Sequence, residues 1–388
     1  MDIKKLGEIC AIVSGGTPSR TNTEFWDGGT IPWIKIGDIK EKHVSKADEY
    51  ITQAGLDGSS AKMLSKGTIL YTIFATLGEA GILTTDACTN QAIAGITIRN
   101  QNEVLTDYLY YYLKSKKSYV NNLGRGVAQN NINLSILRNL DVPLPDLPTQ
   151  QQTVDVLDET VKVIKYRQQQ LQKLDDLVKA RFVEMFGDSE FNTMQWPTKK
   201  LSELCAVSSS KRIYQNEQST EGVPFLRISD LNERIDNVKN APELFIPINK
   251  YNELKENGLV PTEGDILVTS RGTLGRCYIV RPEDEFYFQD GMISWLSDLN
   301  SQITSVYLSQ LFAMSGIQKQ IASLQAGSTV AYLSITMLKK LNIMLPPLDR
   351  QEQFAAFVEQ ADKSKVAVQK ALDEAQLLFD SLMQKYFG

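Results

Sequence analysis

Few side chains of this 388-residue sequence are suited to covalent catalysis or metal binding. His43 is the single histidine, and the four cysteines (Cys10, Cys88, Cys205 and Cys277) form no Cys-x-x-Cys pair. The glycine-rich phosphate loop that ends in Lys-Ser/Thr and the His-Glu-x-x-His zinc motif are both missing. The Gly-x-Ser-x-Gly motif of serine hydrolases is missing as well. We therefore expect neither a catalytic site nor a metal site in this chain.

Basic side chains beside small residues are better suited to contacting nucleic acid. The segments Ser14-Gly-Gly-Thr-Pro-Ser-Arg20 and Ser208-Ser-Ser-Lys-Arg212 are loops of small residues that end in basic ones. Backbone amides of such loops can bind phosphate, although a plain tight turn explains the same composition. Ser270-Arg-Gly-Thr-Leu-Gly-Arg276 places two arginines around glycines. Arginine is the usual bidentate reader of guanine, so this loop is a candidate for base recognition.

Amides and two further cations extend the set of candidates. Gly124-Arg-Gly-Val-Ala-Gln-Asn-Asn131 contains residue types that read adenine, although asparagine-rich loops are often just turns. Lys35 and Arg227 hold the same position in two similar predicted strands, and either contact phosphate or cap a strand face. The candidate DNA-contacting residues are Arg20, Lys35, Arg125, Gln129, Asn130, Asn131, Lys211, Arg212, Arg227, Arg271 and Arg276.

These candidates lie in two halves of the chain that repeat the same landmarks. The segment Leu140-Asp-Val-Pro-Leu-Pro-Asp-Leu-Pro-Thr-Gln150 recurs as Leu341-Asn-Ile-Met-Leu-Pro-Pro-Leu-Asp-Arg-Gln351. The pair Phe186-Gly187 recurs as Phe387-Gly388, and both repeats lie 201 positions apart. Upstream landmarks recur at smaller and changing distances, so insertions and deletions fall in loops. The sequence therefore predicts an internal two-fold pseudo-repeat.

The first part of each half is predicted to be a globular region of mixed α and β structure. Short β-branched runs bounded by Gly, Asp and Asn predict strands at residues 31–36, 67–75 and 93–98. Apolar residues at three- and four-residue spacing predict helices at 104–120 and 305–320. The first of these helices carries tyrosines that either stack on bases or form its packed face: Tyr108, Tyr111, Tyr112 and Tyr119.

Each half is predicted to end in one long helix. Residues 149–186 would form a helix of about 57 Å at 1.5 Å per residue. Apolar residues recur there every seven positions, which predicts a coiled coil, although Lys365 and other polar residues interrupt the seam. Two ordinary amphipathic helices, each packed on its own domain, are the alternative. The predicted seam residues are Leu157, Ile164, Leu171, Val178, Val358, Leu372 and Phe379.

Composition restricts how the chain could work. Its net charge of −5 argues against a free-standing nucleic-acid binder, so partner subunits would supply much of the phosphate neutralisation. No apolar run approaches the roughly 20 residues needed to span a bilayer. The N-terminus lacks the apolar segment of a signal peptide. We therefore expect a cytoplasmic protein that does not enter the membrane.

The chain resembles the specificity subunit of type I restriction–modification enzymes. Four features carry the resemblance: the doubled globular region, the Leu-Pro-x-Leu-x-x-Gln motif that leads into each long helix, the long helix itself, and the Phe-Gly pair that ends it. The resemblance covers essentially the whole chain. It implies an α+β fold in which two similar mixed α/β target recognition domains are joined by two long helices that form an antiparallel coiled coil. The domains would be residues 1–146 and 188–347, and the helices residues 147–187 and 348–388.

The resemblance also implies a function and partners. Each target recognition domain would read one half of a bipartite, asymmetric site in double-stranded DNA. The paired helices would set the unread spacer and dock two modification (adenine methyltransferase) subunits, and restriction subunits would add translocation and cleavage in phage defence. No cofactor is expected in this chain, because S-adenosylmethionine, ATP and Mg²⁺ would be held by the partner subunits.

Two other functions compete with this interpretation. A coiled-coil scaffold that joins two proteins without reading DNA would show the same helices. A DNA methyltransferase acting alone is disfavoured, since the Asn/Asp-Pro-Pro-Tyr/Phe motif of amino-methyltransferases does not occur.

Overall fold

Two helices of 40 residues each, Leu147–Phe186 and Leu348–Phe387, are the longest elements of the described chain. The computed structural model describes residues 2–124, 131–238, 240–325 and 331–388. It divides into unit 1, made of residues 1–168 and 370–388, and unit 2, made of residues 169–369. Both long helices therefore contribute residues to both units. None of the helices in the described ranges has the length and apolar character needed to cross a membrane.

Unit 1 alternates short strands with short helices before the first long helix. Its strands are β1 (Asp2–Lys5), β2 (Cys10–Ser14), β3 (Ile31–Ile34), β4 (His43–Val44), β5 (Glu49–Ile51), β6 (Ile69–Thr72), β7 (Ala80–Leu83), β8 (Cys88–Thr89), β9 (Ile93–Ile98) and β10 (Asp141–Leu144). Its helices are α1 (Leu6–Ile9), α2 (Gln53–Asp57), α3 (Thr106–Ser115), α4 (Lys117–Gly124), α5 (Leu134–Arg138) and the start of α6 (Leu147–Phe186).

Three sheets organise the strands of unit 1. The largest has the order β2-β9-β6-β7-β4, in which β6 pairs antiparallel with both β9 and β7. A second sheet has the order β5-β3-β8, and β3 runs parallel to β8. In the third, β1 pairs antiparallel with β10, so the beginning of the chain lies beside the segment that leads into α6.

Unit 2 repeats this arrangement with its own strands and helices. Its strands are β11 (Thr198–Lys200), β12 (Ala206–Ser208), β13 (Val223–Leu226), β14 (Phe245–Ile246), β15 (Ile266–Thr269), β16 (Cys277–Ile279), β17 (Tyr287–Phe288), β18 (Ile293–Ser297) and β19 (Asn342–Met344). Its helices are α7 (Ile228–Ile235), α8 (Ile248–Glu256), α9 (Ser305–Phe312), α10 (Ser315–Leu324), α11 (Ile335–Lys339) and the start of α12 (Leu348–Phe387).

The sheet orders of the two units correspond, except that β4 has no counterpart among the described residues of unit 2. The order β12-β18-β15-β16 in unit 2 matches β2-β9-β6-β7 in unit 1. The parallel pair β13–β17 matches β3–β8, and the antiparallel pair β11–β19 matches β1–β10. The predicted fold class, two similar mixed α/β regions joined by two long helices, is therefore confirmed.

Several predicted elements differ from the observed ones at their ends. The predicted strand at 67–75 is shorter, because residues 73–79 form the turn between β6 and β7. The predicted helix at 104–120 is two helices separated at Lys116, and that at 305–320 is broken before Met314, whose backbone is extended. Apolar spacing continues across such short breaks, so periodicity alone does not detect them.

The first long helix begins at Leu147, two residues before Thr149, where the local helix-start signals predict its first residue. The Asp146 carboxylate accepts a hydrogen bond of 3.1 Å from the Thr149 backbone N–H, which caps the helix. Hydrogen bonds from Thr149 also hold the pKa of Asp146 below its usual range. Pro148 then falls in the first turn, where its missing N–H costs nothing.

The core of unit 1 contains the end of the second long helix. Phe387 is 3% exposed, and its ring centroid lies 5.3 Å from that of Tyr108 and 6.2 Å from that of Tyr112. Tyr111 is buried as well, whereas Tyr119 is exposed. Three of the four tyrosines thus form the packed face of α3, so the base-stacking alternative does not apply to them.

The core of unit 2 contains the end of the first long helix. Phe186 is fully buried and lies at ring-centroid distances of 4.9 Å from Tyr307 and 5.4 Å from Phe354. Phe182 stacks on Tyr307 at 5.6 Å. In each unit the Phe-Gly close of one helix therefore packs near the beginning of the other helix, which is antiparallel pairing.

Burial along the predicted seam varies with position. Leu157 and Val178 are buried, and Val358 is 6% exposed. The other predicted seam residues are half-buried: Ile164, Leu171, Leu372 and Phe379. Within unit 2, the Lys365 ammonium lies in the seam and pairs with Asp175 at 2.8 Å. A polar pair in a seam favours one register of the two helices.

A buried glutamine fastens each long helix to its globular region. The Gln150 side chain accepts a hydrogen bond from the Leu105 N–H at 2.9 Å and donates to the carbonyls of Glu103 and Pro145, each at 2.9 Å. Gln351 makes the equivalent bonds with the backbone of Thr304, Gln302 and Pro346. The glutamine that ends the repeated entry motif thus has a structural role in both units.

Candidate nucleic-acid interface

Loops gather at one edge of the large sheet in unit 1, because β2 and β6 end there and β9 begins there. Ser14 lies opposite Ala94, and Thr72 lies opposite Ile93. We call residues 14–20, 73–79 and 90–92 the loop edge of unit 1. The Ile73 N–H donates to the Ala92 carbonyl at 2.9 Å, which joins two of these segments.

Unit 2 has the same edge, built from residues 208–212, 270–276 and 290–292. Ser208 lies opposite Trp295, and Thr269 lies opposite Ile293. The Ser270 N–H donates to the Met292 carbonyl at 2.8 Å, as Ile73 does to Ala92 in unit 1. The topology therefore brings Lys211, Arg212, Arg271 and Arg276 to one edge of one sheet.

A buried threonine holds the hairpin turn in each loop edge. The Thr269 hydroxyl accepts from the Arg276 N–H at 3.0 Å and donates to the Thr273 carbonyl at 2.6 Å. The Thr72 hydroxyl makes the same two bonds with Glu79 and Thr76. Both hydroxyls belong to fully buried residues, so the two turns have rigid and matching bases.

The backbone of the two turns also matches at its tips. Gly272 has a φ of 69°, and Ala75 holds the corresponding place with a φ of 58°. An L residue in this left-handed region costs about 1–2 kcal/mol, so Ala75 is strained to keep the shape that glycine adopts freely. Strain of this kind concentrates at functional sites.

A returning segment pairs with each tip. Phe74 forms an isolated antiparallel bridge with Asn131, and Arg271 forms one with Tyr332. The Arg271 guanidinium lies 5.2 Å from the centroid of the Tyr332 ring. Candidate Asn131 is thus placed beside the hairpin of unit 1. The candidates Arg125, Gln129 and Asn130 lie outside the described residues.

The glycines of the first loop serve close packing. A Cβ atom on Gly15 would come within 2.3 Å of the Asn90 carbonyl oxygen, and one on Gly16 within 2.4 Å of the Ser60 carbonyl carbon. Gly16 is buried. These contacts favour the tight-turn explanation of this loop over an open phosphate cradle.

Two candidate cations of unit 1 share one carboxylate. Lys35 pairs with Glu49 at 2.5 Å, and Arg20 pairs with the other oxygen of the same carboxylate. The Arg20 guanidinium also lies 3.8 Å from the centroid of a ring of Trp26. Hydrogen bonds from Arg20 and then Lys35 hold the pKa of Glu49 below its usual range. The three charged groups together carry one net positive charge.

Most candidate cations of unit 2 are also paired with carboxylates. Arg212 pairs with Asp290 at 2.9 Å. Arg227 is the N-cap residue that directly precedes α7, and it pairs with Asp230 at 3.2 Å and with Glu243. Each of these arginines is part of a local ion pair, so an incoming phosphate would have to compete with the carboxylate.

The two arginines of the second hairpin differ in their surroundings. Arg276 pairs with Asp236 and donates to the Asn232 side chain at 2.8 Å, so it ties the hairpin to α7. Arg271 is exposed, and within the described ranges it belongs to no ion pair. The same is true of Lys211, whose backbone N–H is bonded to Tyr287. Arg271 is therefore the candidate on a rigid hairpin tip whose charge is not already compensated.

Sequence reasoning missed the carboxylates that hold these cations, since Glu49 lies 29 residues from Arg20 and Asp236 lies 40 residues from Arg276. The sequence aligns Phe74 with Arg271, but Phe74 was not among the candidate DNA-contacting residues. The matching of the two hairpins was the available signal. Within the described residues, no group of three or more His, Cys, Asp or Glu could hold a metal ion.

Comparison with known proteins gives the family. The profile of the type I restriction modification DNA specificity domain matches residues 1–176 and again residues 194–375. The chain is 25% identical over 409 residues to the type I restriction enzyme MjaIX specificity subunit of Methanocaldococcus jannaschii, covering 99% of this chain and 92% of that protein. It is 29% identical over 162 residues to the EcoR124I/EcoR124II specificity subunit of Escherichia coli, covering 40% of each.

Solved structures share the fold. The S subunit of a type I restriction–modification system from M. genitalium aligns over 100% of this chain and 96% of its own, with a TM-score of 0.56 and 16% identity. A chain from a study of complex assembly and conformational transition of the type I R-M system aligns with a TM-score of 0.59 and 15% identity, covering 100% of this chain and 97% of that one. The chain therefore belongs to the type I restriction modification DNA specificity family, as a non-catalytic specificity subunit with two target recognition domains.

Proposed function

We propose that each loop edge reads one half of a bipartite, asymmetric site in double-stranded DNA. The observation that carries this proposal is the pair of matching hairpins, which share one backbone conformation but carry different side chains at their tips. A shared frame presents side chains in the same way, whereas unlike side chains select unlike bases. On this proposal, residues 1–146 and 188–347 are the two reading domains.

The charges of the candidate cations are better suited to recognising bases than to binding DNA tightly without partner subunits. Carboxylates compensate Arg20, Arg212, Arg227 and Arg276, and the whole chain carries a net charge of −5. Non-specific affinity for DNA depends on phosphate neutralisation. We infer that partner subunits provide most of it, and that this chain supplies the base contacts.

The long helices, residues 147–187 and 348–388, would fix the distance between the half-sites and dock two modification subunits. Restriction subunits would join them, and the partners would hold S-adenosylmethionine, ATP and Mg²⁺. The antiparallel seam supports a spacing role, since paired helices resist bending better than one. We place the assembly in the cytoplasm, where bacterial or archaeal DNA is available to it.

The test uses the chain together with its modification subunits. Methylome sequencing of a host that expresses them should reveal one bipartite motif, and a gel shift should show preference for that motif over a scrambled duplex. An assembled complex without preference for any sequence would leave the coiled-coil scaffold as the better explanation. The matching hairpins with unlike tips are the observation that favours reading over scaffolding.

Arg271→Ala should relax one base pair in the half-site read by unit 2 and leave the other half-site unchanged. Loss of a bidentate arginine contact costs about 1–3 kcal/mol of discrimination. Binding competition between duplexes that differ at single base pairs measures this. Arg281→Ala is the matched control, since Arg281 is exposed in the same unit but lies outside the loop edge. Equal losses at both half-sites would contradict the assignment.

A further inference from the structure

The tips of the two hairpins carry side chains of opposite character at the same place. Phe74 is the second residue of the hairpin turn 73–79 in unit 1, and Arg271 is the second residue of the turn 270–276 in unit 2. The two turns are held by the same hydrogen bonds. Each is paired through its backbone with a returning segment, at Asn131 and Tyr332. The two side chains therefore leave equivalent points of equivalent frames.

Phe74 does not pack in the hydrophobic core of unit 1, although neighbouring residues of the same turn do. Ile73 and Leu77, in the same turn, are 6% and 1% exposed and belong to the core of unit 1. Phe74 is 38% exposed, and it packs into none of the hydrophobic clusters found among the described residues. The turn thus holds a large apolar side chain at the solvent, on a backbone that is strained at the next residue, Ala75.

An apolar side chain on a reading loop has one specific target in the major groove. The 5-methyl group of thymine is the only apolar group there, and alanine, threonine and phenylalanine contact it. Phenylalanine has no hydrogen-bonding group, so it cannot distinguish the other base edges by donors and acceptors. Arginine at the equivalent place pairs with the O6 and N7 atoms of guanine.

We propose that Phe74 is a specificity-determining residue that contacts the 5-methyl group of a thymine in the half-site bound by unit 1. Arg271 contacts a guanine at the equivalent place in the half-site bound by unit 2. This inference rests on the proposed function and names the chemistry read at one position of each half-site. The two half-sites differ at that position because the side chains at the two hairpin tips differ, whereas the backbone conformations that present them are the same.

The experiment replaces single chemical groups of the DNA. Once methylome sequencing has given the motif, duplexes are made in which each thymine of the half-sites is replaced in turn by deoxyuridine, which lacks only the methyl group. Affinity is measured for the full chain assembled with its modification subunits. One deoxyuridine in one half-site should weaken binding about fourfold, the effect of one buried methyl group.

Variants of the chain assign that effect to a residue. In Phe74→Ala the same deoxyuridine substitution should cause no further loss of affinity. In Phe74→Leu it should still cause part of the loss seen with the unchanged chain. Ile3→Ala is the matched control, since Ile3 is a 67% exposed apolar residue of the same unit outside the loop edge, and it should leave the deoxyuridine effect intact. A half-site without any A·T pair, or an effect that persists in Phe74→Ala, would overturn the inference.

The same design tests the second tip. Replacing one guanine by 7-deazaguanine removes the N7 acceptor and should weaken binding about tenfold, the value of a hydrogen bond from a charged donor. Arg271→Ala should abolish that difference. Loss of all sequence preference would refute the proposed function. Intact preference without coupling at Phe74, including stacking of its ring between bases, would refute only the methyl contact.

Discussion

Replacing Gln150 with alanine should lower the free energy of unfolding of unit 1 by about 3–9 kcal/mol, since three backbone groups lose their partner at a cost of about 1–3 kcal/mol each. Gln150 is fully buried and bonds to Leu105, Glu103 and Pro145. Urea unfolding combined with hydrogen exchange of peptides from each unit measures the loss and locates it. Gln351→Ala should produce the same loss in unit 2.

Neighbouring substitutions separate this role from a general effect of mutation in the helix. Gln151→Ala, one residue further along, removes an exposed side chain that bonds only to Asp155 among the contacts described, and it should change stability by less than about 0.5 kcal/mol. Gln150→Glu keeps the size but turns the donor toward Glu103 and Pro145 into an acceptor, so it should cost at least as much as alanine. Unchanged stability of Gln150→Glu would refute the hydrogen-bonding role.

Lengthening both long helices by seven residues should lengthen the unread DNA spacer or abolish activity. We would insert one heptad after Gln168 and one after Gln369, where each helix passes from one unit to the other. Seven residues add about 10.5 Å, or roughly three base pairs. A heptad turns the seam by only about 20°, so the helices can still pair.

Two controls and one sequencing experiment complete this test. Five-residue insertions at the same points turn the following helix by about 140° and should prevent pairing. A heptad in only one helix should leave the two helices out of register on one side of the insertion and so disturb their pairing. Methylome sequencing reads the spacer directly, and an active double insertion with an unchanged spacer would show that the helices do not set it.

The long helices were predicted well from the sequence, because a helix that packs along one face has apolar residues at regular intervals. Leu157 and Val178 are buried at the positions that the heptads indicate. Periodicity could not indicate how deeply each position is buried, since Ile164 and Leu171 share the pattern but are only half-buried. Depth depends on what covers the helix, and those residues come from distant parts of the chain.

The candidate interface was harder to predict for a related reason. Residue type alone made Arg271 and Arg276 equal candidates. The structure separates them, because Asp236 occupies one guanidinium while the other is exposed without an ion pair among the described residues. That difference arises from a contact 40 residues away, which no local pattern records. Phe74 aligns with Arg271 in sequence, but its exposure at the hairpin tip could not be predicted, because a phenylalanine usually belongs to a core.

The burial of Phe387 in unit 1 has a consequence for synthesis on the ribosome. Residues 1–168 of unit 1 are made before unit 2, but the core around Tyr108 and Tyr112 is closed by residues 370–388, which are translated after all of unit 2. Unit 2, residues 169–369, is complete in sequence before that. Domains generally fold in order from the N-terminus. Here unit 1 is begun before unit 2 but completed after it, so a chain released before residue 370 would leave the core of unit 1 open.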